Sequence, residues 1–396
     1  MHSIRQHILF QANANNYMSN KLNPKNQTKR IYFLAGVSLL ILSCASLSAP
    51  NTITPTATLD LRSTDTPAPT LTSTPEAAPT IAFSNYLNFA PLNQWDVQNI
   101  NKITGIVLSP DKKQVALFTL RSGEQWWLEL RDTESGTLFW DANVGIATYN
   151  AIAFSPDGGL IATGTGEGLV RIWDVQSGEV LRTLEGHIYA VRYVLFSPDG
   201  TMIASGASDN TARVWQVSTG INQSVYRIKT DVRDIAWSPD GQYLAVTSNN
   251  INVYDVPSHN NQPIVFYDEV GDTRDLGEVS FSPNGLFLIG GGEWHNPENN
   301  HWRYRIFVWD FPYNISAPLR IPLDDAIDDV VISPDGQVLV GTYKDKGKLL
   351  LIDIVDREIK GNIDIGPKLY MSYSPYISTF AVVSTKTTVT IWGVSP

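Results

Sequence analysis

Four stretches of the chain have residue types suited to chemistry. Trp294-His295 and His301-Trp302 flank a short polar stretch, and Asp324, Asp325, Asp328 and Asp329 follow downstream. Two imidazoles near carboxylates suit a metal ion such as zinc, and an acidic run suits Ca²⁺ or a basic partner. The spacing is irregular and defines no ligand set, so no metal is expected. The aromatic residues instead predict a contact surface for a protein or sugar, and the Asp run predicts a solvated loop beside it. Gly164-Thr165-Gly166-Glu167-Gly168 has the glycines of a phosphate cradle but no Lys and no following helix, so it reads as a turn. Cys44 is the only cysteine, which rules out an intrachain disulfide and a Cys-rich metal site. The chain has no nucleophile elbow, HExxH, CxxCH or Walker loop, and no cofactor is expected.

The elements that must position these residues are short strands. In the stretch from Leu184 to Gln216, Val191, Val194 and Phe196 mark a first β-run. Ser197-Pro198-Asp199-Gly200 then reads as a type I turn, with Pro198 presetting φ and Gly200 at the fourth position. Met202–Ser205 reads as a second strand, Ser208-Asp209-Asn210 as a turn and Thr211–Trp215 as a third strand. Such a meander is marginal alone and must be covered. The Ser-Pro turn recurs at Ser109, Ser155, Ser197, Ser238, Ser282, Ser333 and Ser374, with gaps of 46, 42, 41, 44, 51 and 41 residues. Trp173-Asp174, Trp215-Gln216, Tyr254-Asp255, Trp309-Asp310, Ile352-Asp353 and Trp392-Gly393 close successive copies. The recurring Asp residues read as turn or strand-end groups.

A period of about 40–45 residues with a Gly-His start and a Trp-Asp end resembles the WD40-repeat family. The resemblance covers roughly residues 85–396. It implies an all-β, seven-bladed WD40 propeller over 83–396, with Trp173, Trp215, Trp309 and Trp392 packed between blades. It also implies that His187, Ser205, Asp209 and Trp215 form a structural hydrogen-bond network, complete only in the third copy. In the family, the loop between the second and third strands shares the top face with the loop entering the first. That places the Trp294–Trp302 insertion beside Asp324 and Asp325, and it places Tyr149, Tyr189, Arg192, Arg233, Asp275 and Tyr370 on the same rim. The mixture of aromatic and Arg residues suits a protein interface. Trp95-Asp96-Val97 lies in a spare strand ahead of the first copy. It is expected to pair with the last copy and close the ring.

Charge narrows the partner. Lys and Arg total 29 against 39 Asp and Glu, a net of −10. Arg5, Lys21, Lys25, Lys29 and Arg30 fall in an acid-free start, so residues 31–396 carry 24 bases and 39 acids. A net of −15 there argues against a nucleic-acid partner, which requires a basic face.

Lys29-Arg30 precedes the apolar run Ile31–Leu42, which is too short to span a bilayer comfortably. Ile41-Leu42-Ser43-Cys44 resembles a bacterial lipoprotein box, although Leu42 is unusual at its position. Residues 1–43 are therefore expected to be a signal peptide, with a true start at Met18, and Cys44 to carry lipid. An uncleaved anchor is the alternative. Residues 44–82 are rich in Thr, Pro, Ser and Ala and are expected to form a disordered stalk. If extended as polyproline II, about 36 residues at ~3.1 Å each would reach on the order of 100 Å. The sequence thus predicts a non-catalytic scaffold, lipid-anchored to the bacterial cell or outer membrane, that binds protein on its top face. A lactonase-like propeller hydrolase and a glycan-binding module using Trp294 and Trp302 are the alternatives.

Overall fold

The computed structural model describes residues 89–394 apart from 146, 260, 267–274, 297–300, 313–317, 334–336, 344–345, 355, 357, 367–369 and 374–378. The expected signal peptide, Cys44 and the stalk lie outside the described residues. The described residues form 28 strands and no helix. These assemble as seven four-stranded antiparallel sheets, the blades of a propeller.

Blade one spans 102–145, blade two 147–184, blade three 191–227, blade four 234–266, blade five 275–323 and blade six 327–364. Blade seven is discontinuous in sequence. Its first three strands are β26 (Tyr370–Tyr373), β27 (Thr379–Val383) and β28 (Thr388–Val394), and its outer strand is β1 (Phe89–Asp96). β1 pairs antiparallel with β28, from Phe89↔Val394 to Asp96↔Thr388. The spare strand therefore covers an edge that would otherwise be open. Thr388 Oγ1 also donates to Asp96 Oδ1 at 2.5 Å, and Val97 N donates to Thr387 O at 2.9 Å.

The core lies between blades, not at the ring's centre. Seven apolar clusters each join residues of two neighbouring blades. Trp173 packs with Phe118 and Leu128 of blade one, Trp215 with Ala151 and Val170 of blade two, and Trp309 with Ile251 and Phe266 of blade four. Trp392 is partly buried against blade six. A single sheet has two apolar faces and no means of covering either, so each blade depends on both neighbours.

Five of the Ser-Pro turns share one hydrogen-bond pattern among the described residues. Ser155 Oγ donates to Asp157 Oδ1 at 2.5 Å and accepts from Leu160 N at 2.9 Å, and Asp157 Oδ1 accepts from Gly159 N at 3.0 Å. The same set recurs around Ser109, Ser197, Ser238 and Ser282. The degenerate copies keep the geometry. Asn284 replaces Asp as acceptor, and Lys112 occupies the glycine position with φ of 64°. The first turn therefore holds a left-handed non-glycine residue that costs about 1–2 kcal/mol elsewhere in a chain. Asp132, Asp174, Asp255 and Asp353 each accept a backbone N–H three residues on, bracing the outer corners. The Ser-Pro turns and these corners lie at one end of the strands, called the lower face below. The opposite end is the upper face.

Two local expectations are corrected. The blade-five insertion is not a loop. β19 (Phe287–Asn296) and β20 (His301–Asp310) pair without interruption out to His295↔Trp302 and Asn296↔His301. Trp294, His295, His301 and Trp302 thus belong to the stem of a long hairpin. The acidic run is only partly a loop as well. Asp324 and Asp325 connect β21 (Leu319–Leu323) to β22 (Ile327–Ile332), whereas Asp328 and Asp329 lie within β22, with a register shift between Ile327 and Asp329.

Candidate functional site

The upper face is best ordered at blade three. Trp215 Nε1 donates to Ser205 Oγ at 2.8 Å, and Ser205 Oγ lies 2.8 Å from His187 Nε2. His187 Nδ1 lies 2.9 Å from Asp209 Oδ2. A carboxylate only accepts, so Nδ1 carries the proton and Nε2 accepts from Ser205. Asp209 also accepts from Thr211 Oγ1 at 2.6 Å, Thr211 N at 3.0 Å and Ile188 N at 3.1 Å. One hydrogen-bonded chain therefore runs from the blade two/three core to the upper surface, and all four of its side chains are interior.

Burial holds the His187 imidazole below its usual pKa of 6.5, although Asp209 opposes that shift. The pair is thus a hydrogen bond at neutral pH, not an ion pair. Burial works against ionised Asp209, but hydrogen bonds from Thr211 and His187 prevail and hold it below 3.8. The two shifts give separate pH windows. As pH falls below 6.5 the unfolded chain binds a proton at His187 before the folded one does, so stability declines until the folded pKa is passed. The Asp209 contribution is present above 3.8 and is lost only in stronger acid. The melting temperature is expected to fall between pH 7 and 5, and less so in His187→Asn, as read by scanning calorimetry.

This network displays the residues that follow it. Gly186 has φ of 155°, and Ser208 N donates to Ala190 O at 2.9 Å. Gly168, with φ of 86°, passes so close that a Cβ there would meet His187 O at 2.5 Å. The loop 186–190 is therefore held from both sides, yet Ile188 is 73% and Tyr189 60% exposed. Arg192, in β10 (Val191–Phe196), is exposed, and its Nε donates to Ser208 Oγ at 2.7 Å. Arg233 precedes β14 (Asp234–Trp237), and its half-buried side chain is already engaged. Ile188 was not a sequence candidate. Its main-chain N–H donates to Asp209 Oδ2, which pins the loop that carries the exposed side chain.

The remaining candidates are more dispersed. Tyr149 lies inside β6 (Ala147–Phe154), not ahead of it as expected, and its side chain is outside the described residues. The same holds for the side chains of Trp294, His295, His301, Trp302 and Asp328. Asp324 is exposed. Asp325 bonds Ala326 N at 2.8 Å and Lys346 Nζ at 2.5 Å, and the Lys346 hydrogen bond is the main cause that keeps its carboxyl below 3.8. Asp325 therefore ties the β21–β22 connection to the blade-six turn and is not free to hold an ion. Asp275 opens β18 (Asp275–Phe281), and Tyr370 opens β26, both on the upper side.

The hydrolase alternative requires acids at the inner strands. Asp234 is such a residue, but it accepts Ile235 N at 2.8 Å and Val279 N of the next blade at 2.9 Å. It acts as a strut between blades four and five. Among the described residues, no three His, Cys, Asp or Glu side chains group as a metal would require.

A buried cluster in blade one went unforeseen. Glu129, fully buried, accepts from Thr119 Oγ1 at 2.7 Å, Arg121 at 2.8 Å and Arg131 at 2.7 Å. Arg121 also reaches Asp141 at 2.5 Å and lies 4.2 Å from the Trp127 ring centre. Strand alternation gives no cue that a Glu points inward.

Comparison with known proteins agrees with this geometry. The WD40 family, described as WD domain, G-beta repeat, matches residues 144–174, 178–216 and 222–255. The B-type cell cycle switch protein ccs52A of Medicago truncatula is 24% identical over 227 residues, 48% of this chain and 47% of that protein. Eukaryotic translation initiation factor 3 subunit I of Debaryomyces hansenii is 30% identical over 155 residues, 36% of this chain and 44% of that protein. This chain spans less than half the length of either relative. Among solved structures, a chain of Kuenenia stuttgartiensis hydrazine synthase superposes with a TM-score of 0.62 at 15% identity, covering 76% of this chain and 98% of that one. At that identity the likeness concerns the fold alone. The seven interlocked sheets make the chain an all-β, seven-bladed propeller, in which the three repeats between residues 144 and 255 match the WD40 family.

Proposed function

We propose that this propeller is a non-catalytic scaffold that binds a protein partner through its upper face, outside the bacterial cytoplasm and tethered by lipid on Cys44. The observation that carries the reading is the pair Ile188 and Tyr189, large side chains left in solvent on a loop held by hydrogen bonds to the interior Asp209 carboxylate. A rigid apolar display loses little entropy on binding and suits an interface anchor. Arg192 beside it adds a fixed cationic group. Protein names such as initiation factor subunit and cell cycle switch protein suit this reading, since each suggests work within an assembly. The tether follows from the lipoprotein-like Ile41–Cys44 and the stalk composition. Phe89 opens β1 at the lower end, so the upper face is at the far end of the propeller from the joining chain.

The test is a cross-linked pull-down from the bacterial envelope with the full chain and with the pair Ile188→Ser, Tyr189→Ala. Both side chains are exposed, so the melting curve is expected to stay within about 0.5 kcal/mol of wild type. A specific protein captured by wild type should be at least ~10-fold depleted with the variant. Equal capture by both overturns the face, and capture of no protein by either points instead to a glycan or small ligand. Fractionation of Cys44→Ser tests the tether: the variant should leave the membrane fraction, and retention there contradicts lipidation.

A further inference from the structure

The lower, outer edge of the ring carries a second surface that the upper-face reading does not use. Where blades one and two meet, a cleft of about 430 Å³ opens, a size within the usual range for ligand sites. Phe139 and Trp140 of β5 (Leu138–Gly145) form one wall, and Asp174-Val175-Gln176 of the blade-two corner forms the other. The walls are fixed. Trp140 Nε1 donates to Val175 O at 2.7 Å, and Gly178, with φ of 72°, lies so close that a Cβ would come within 2.8 Å of the Trp140 ring. Phe139 is nevertheless 52% exposed, and Leu138, Val180 and Leu181 are exposed beside it.

The rim is acidic. Asp174 is the one charged side chain on the cleft's lining, and Asp157 adjoins the lining residues Gly158 and Gly159; each accepts a hydrogen bond from a nearby Ser, which holds both carboxyls below 3.8 and hence ionised at neutral pH. Glu179 is exposed on the Asp174 corner, and Lys113 adjoins the lining residue Gln114. The Asp157 and Asp174 carboxylates are oriented by the turn chemistry itself.

The same architecture recurs at blades five and six with a different lining. A cleft of about 450 Å³ there is bordered by Pro318, Leu319 and Arg320. Cross-strand pairing places Leu319 opposite Val308 as Trp140 is placed opposite Leu130, so the positions correspond. That second cleft is lined by one aromatic side chain, Phe287, together with Asp310, and it carries a guanidinium. The repeat geometry makes the groove, and of these two clefts the blade one/two copy has two adjacent aromatic side chains on its outer strand and no cation on its lining.

We propose that the cleft between blades one and two docks an extended segment of a protein partner in which an apolar side chain is flanked by Lys or Arg. The apolar side chain would lie on Phe139 and Trp140, and the flanking cations would face Asp157 and Asp174. This surface is independent of Ile188 and Tyr189, which lie at the opposite end of the blades.

The experiment is a selection of displayed random hexapeptides on the immobilised full chain. Affinities of the enriched sequences are then measured for wild type, Phe139→Ser, Asp174→Asn, Arg320→Ala and Ile188→Ser. Asn at 174 can still accept the Ser177 N–H, so that variant removes charge while keeping the turn. Melting curves of all variants establish that they are folded. Sequences with an apolar residue between Lys or Arg should be enriched, should weaken at least ~10-fold with Phe139→Ser and should weaken about 2- to 5-fold with Asp174→Asn. Arg320→Ala and Ile188→Ser should leave their affinity unchanged. No enrichment, enrichment of acidic or uncharged sequences, or binding that survives Phe139→Ser would each overturn the proposal.

Discussion

Trp215→Ala is expected to lower the unfolding free energy by about 3–5 kcal/mol. The indole is 1% exposed and packs with Ala151, Val170, Ile172 and Val191 across the blade two/three junction. Its removal leaves a cavity between two sheets that cannot close, because each sheet is braced on its other face as well. It also removes the N–H that Ser205 accepts and so loosens the chain that positions His187. Trp215→Phe separates the two effects. It keeps most of the apolar volume and loses the donor, a hydrogen bond worth about 0.5–1.5 kcal/mol net. Urea titration of the three proteins would measure both. Against a total stability of ~5–15 kcal/mol, the alanine variant is expected to be marginally folded. A loss below about 1.5 kcal/mol would show that the blades do not depend on their junctions in this way.

Glu129→Ala should be comparably severe, for a different reason. It leaves the Arg121 and Arg131 guanidiniums facing a buried space without their shared carboxylate. Removing one partner of a buried ion pair costs roughly 3–5 kcal/mol, whereas replacing the whole set by apolar groups is often neutral. Arg121 keeps Asp141 and is 25% exposed, so part of its charge remains solvated. The lower end of that range is therefore expected. Glu129→Leu combined with Arg131→Met should recover at least half of the loss, and a double-mutant cycle by urea titration would measure it. No recovery would mean that the network is needed for its geometry and not merely for charge balance.

These variants show which features were legible in residue order. The seven Ser-Pro turns were readable because their chemistry is local. At Ser109, Ser155, Ser197, Ser238 and Ser282, a hydroxyl, an Asp or Asn side chain two residues on and a backbone N–H five residues on close the same ring of bonds. The same locality explains why the turn geometry survives Lys112 at the glycine position and Asn284 at the Asp position. Ring closure by β1 was also legible, since an unpaired last blade and a spare strand ahead of the first require each other.

What residue order did not reveal depends on partners distant in sequence. The Gly290-Gly291-Gly292 run and Pro297 read as a loop, but the long β19–β20 pairing carries Trp294 and Trp302 onto a hairpin stem. Residue order does not mark Glu129 as buried, and Arg121, Arg131 and Thr119 converge on it from two strands and make its burial tolerable. Ile188 is not singled out by residue order, and its loop is pinned by Asp209, 21 residues away. The sequence by itself determined the repeat, the blade count, the turns and the interblade Trp residues, because each rests on short-range bonds or apolar periodicity. Only the tertiary structure decided which side chains are displayed and which are committed to struts, because burial is set by strands that meet after the ring has closed.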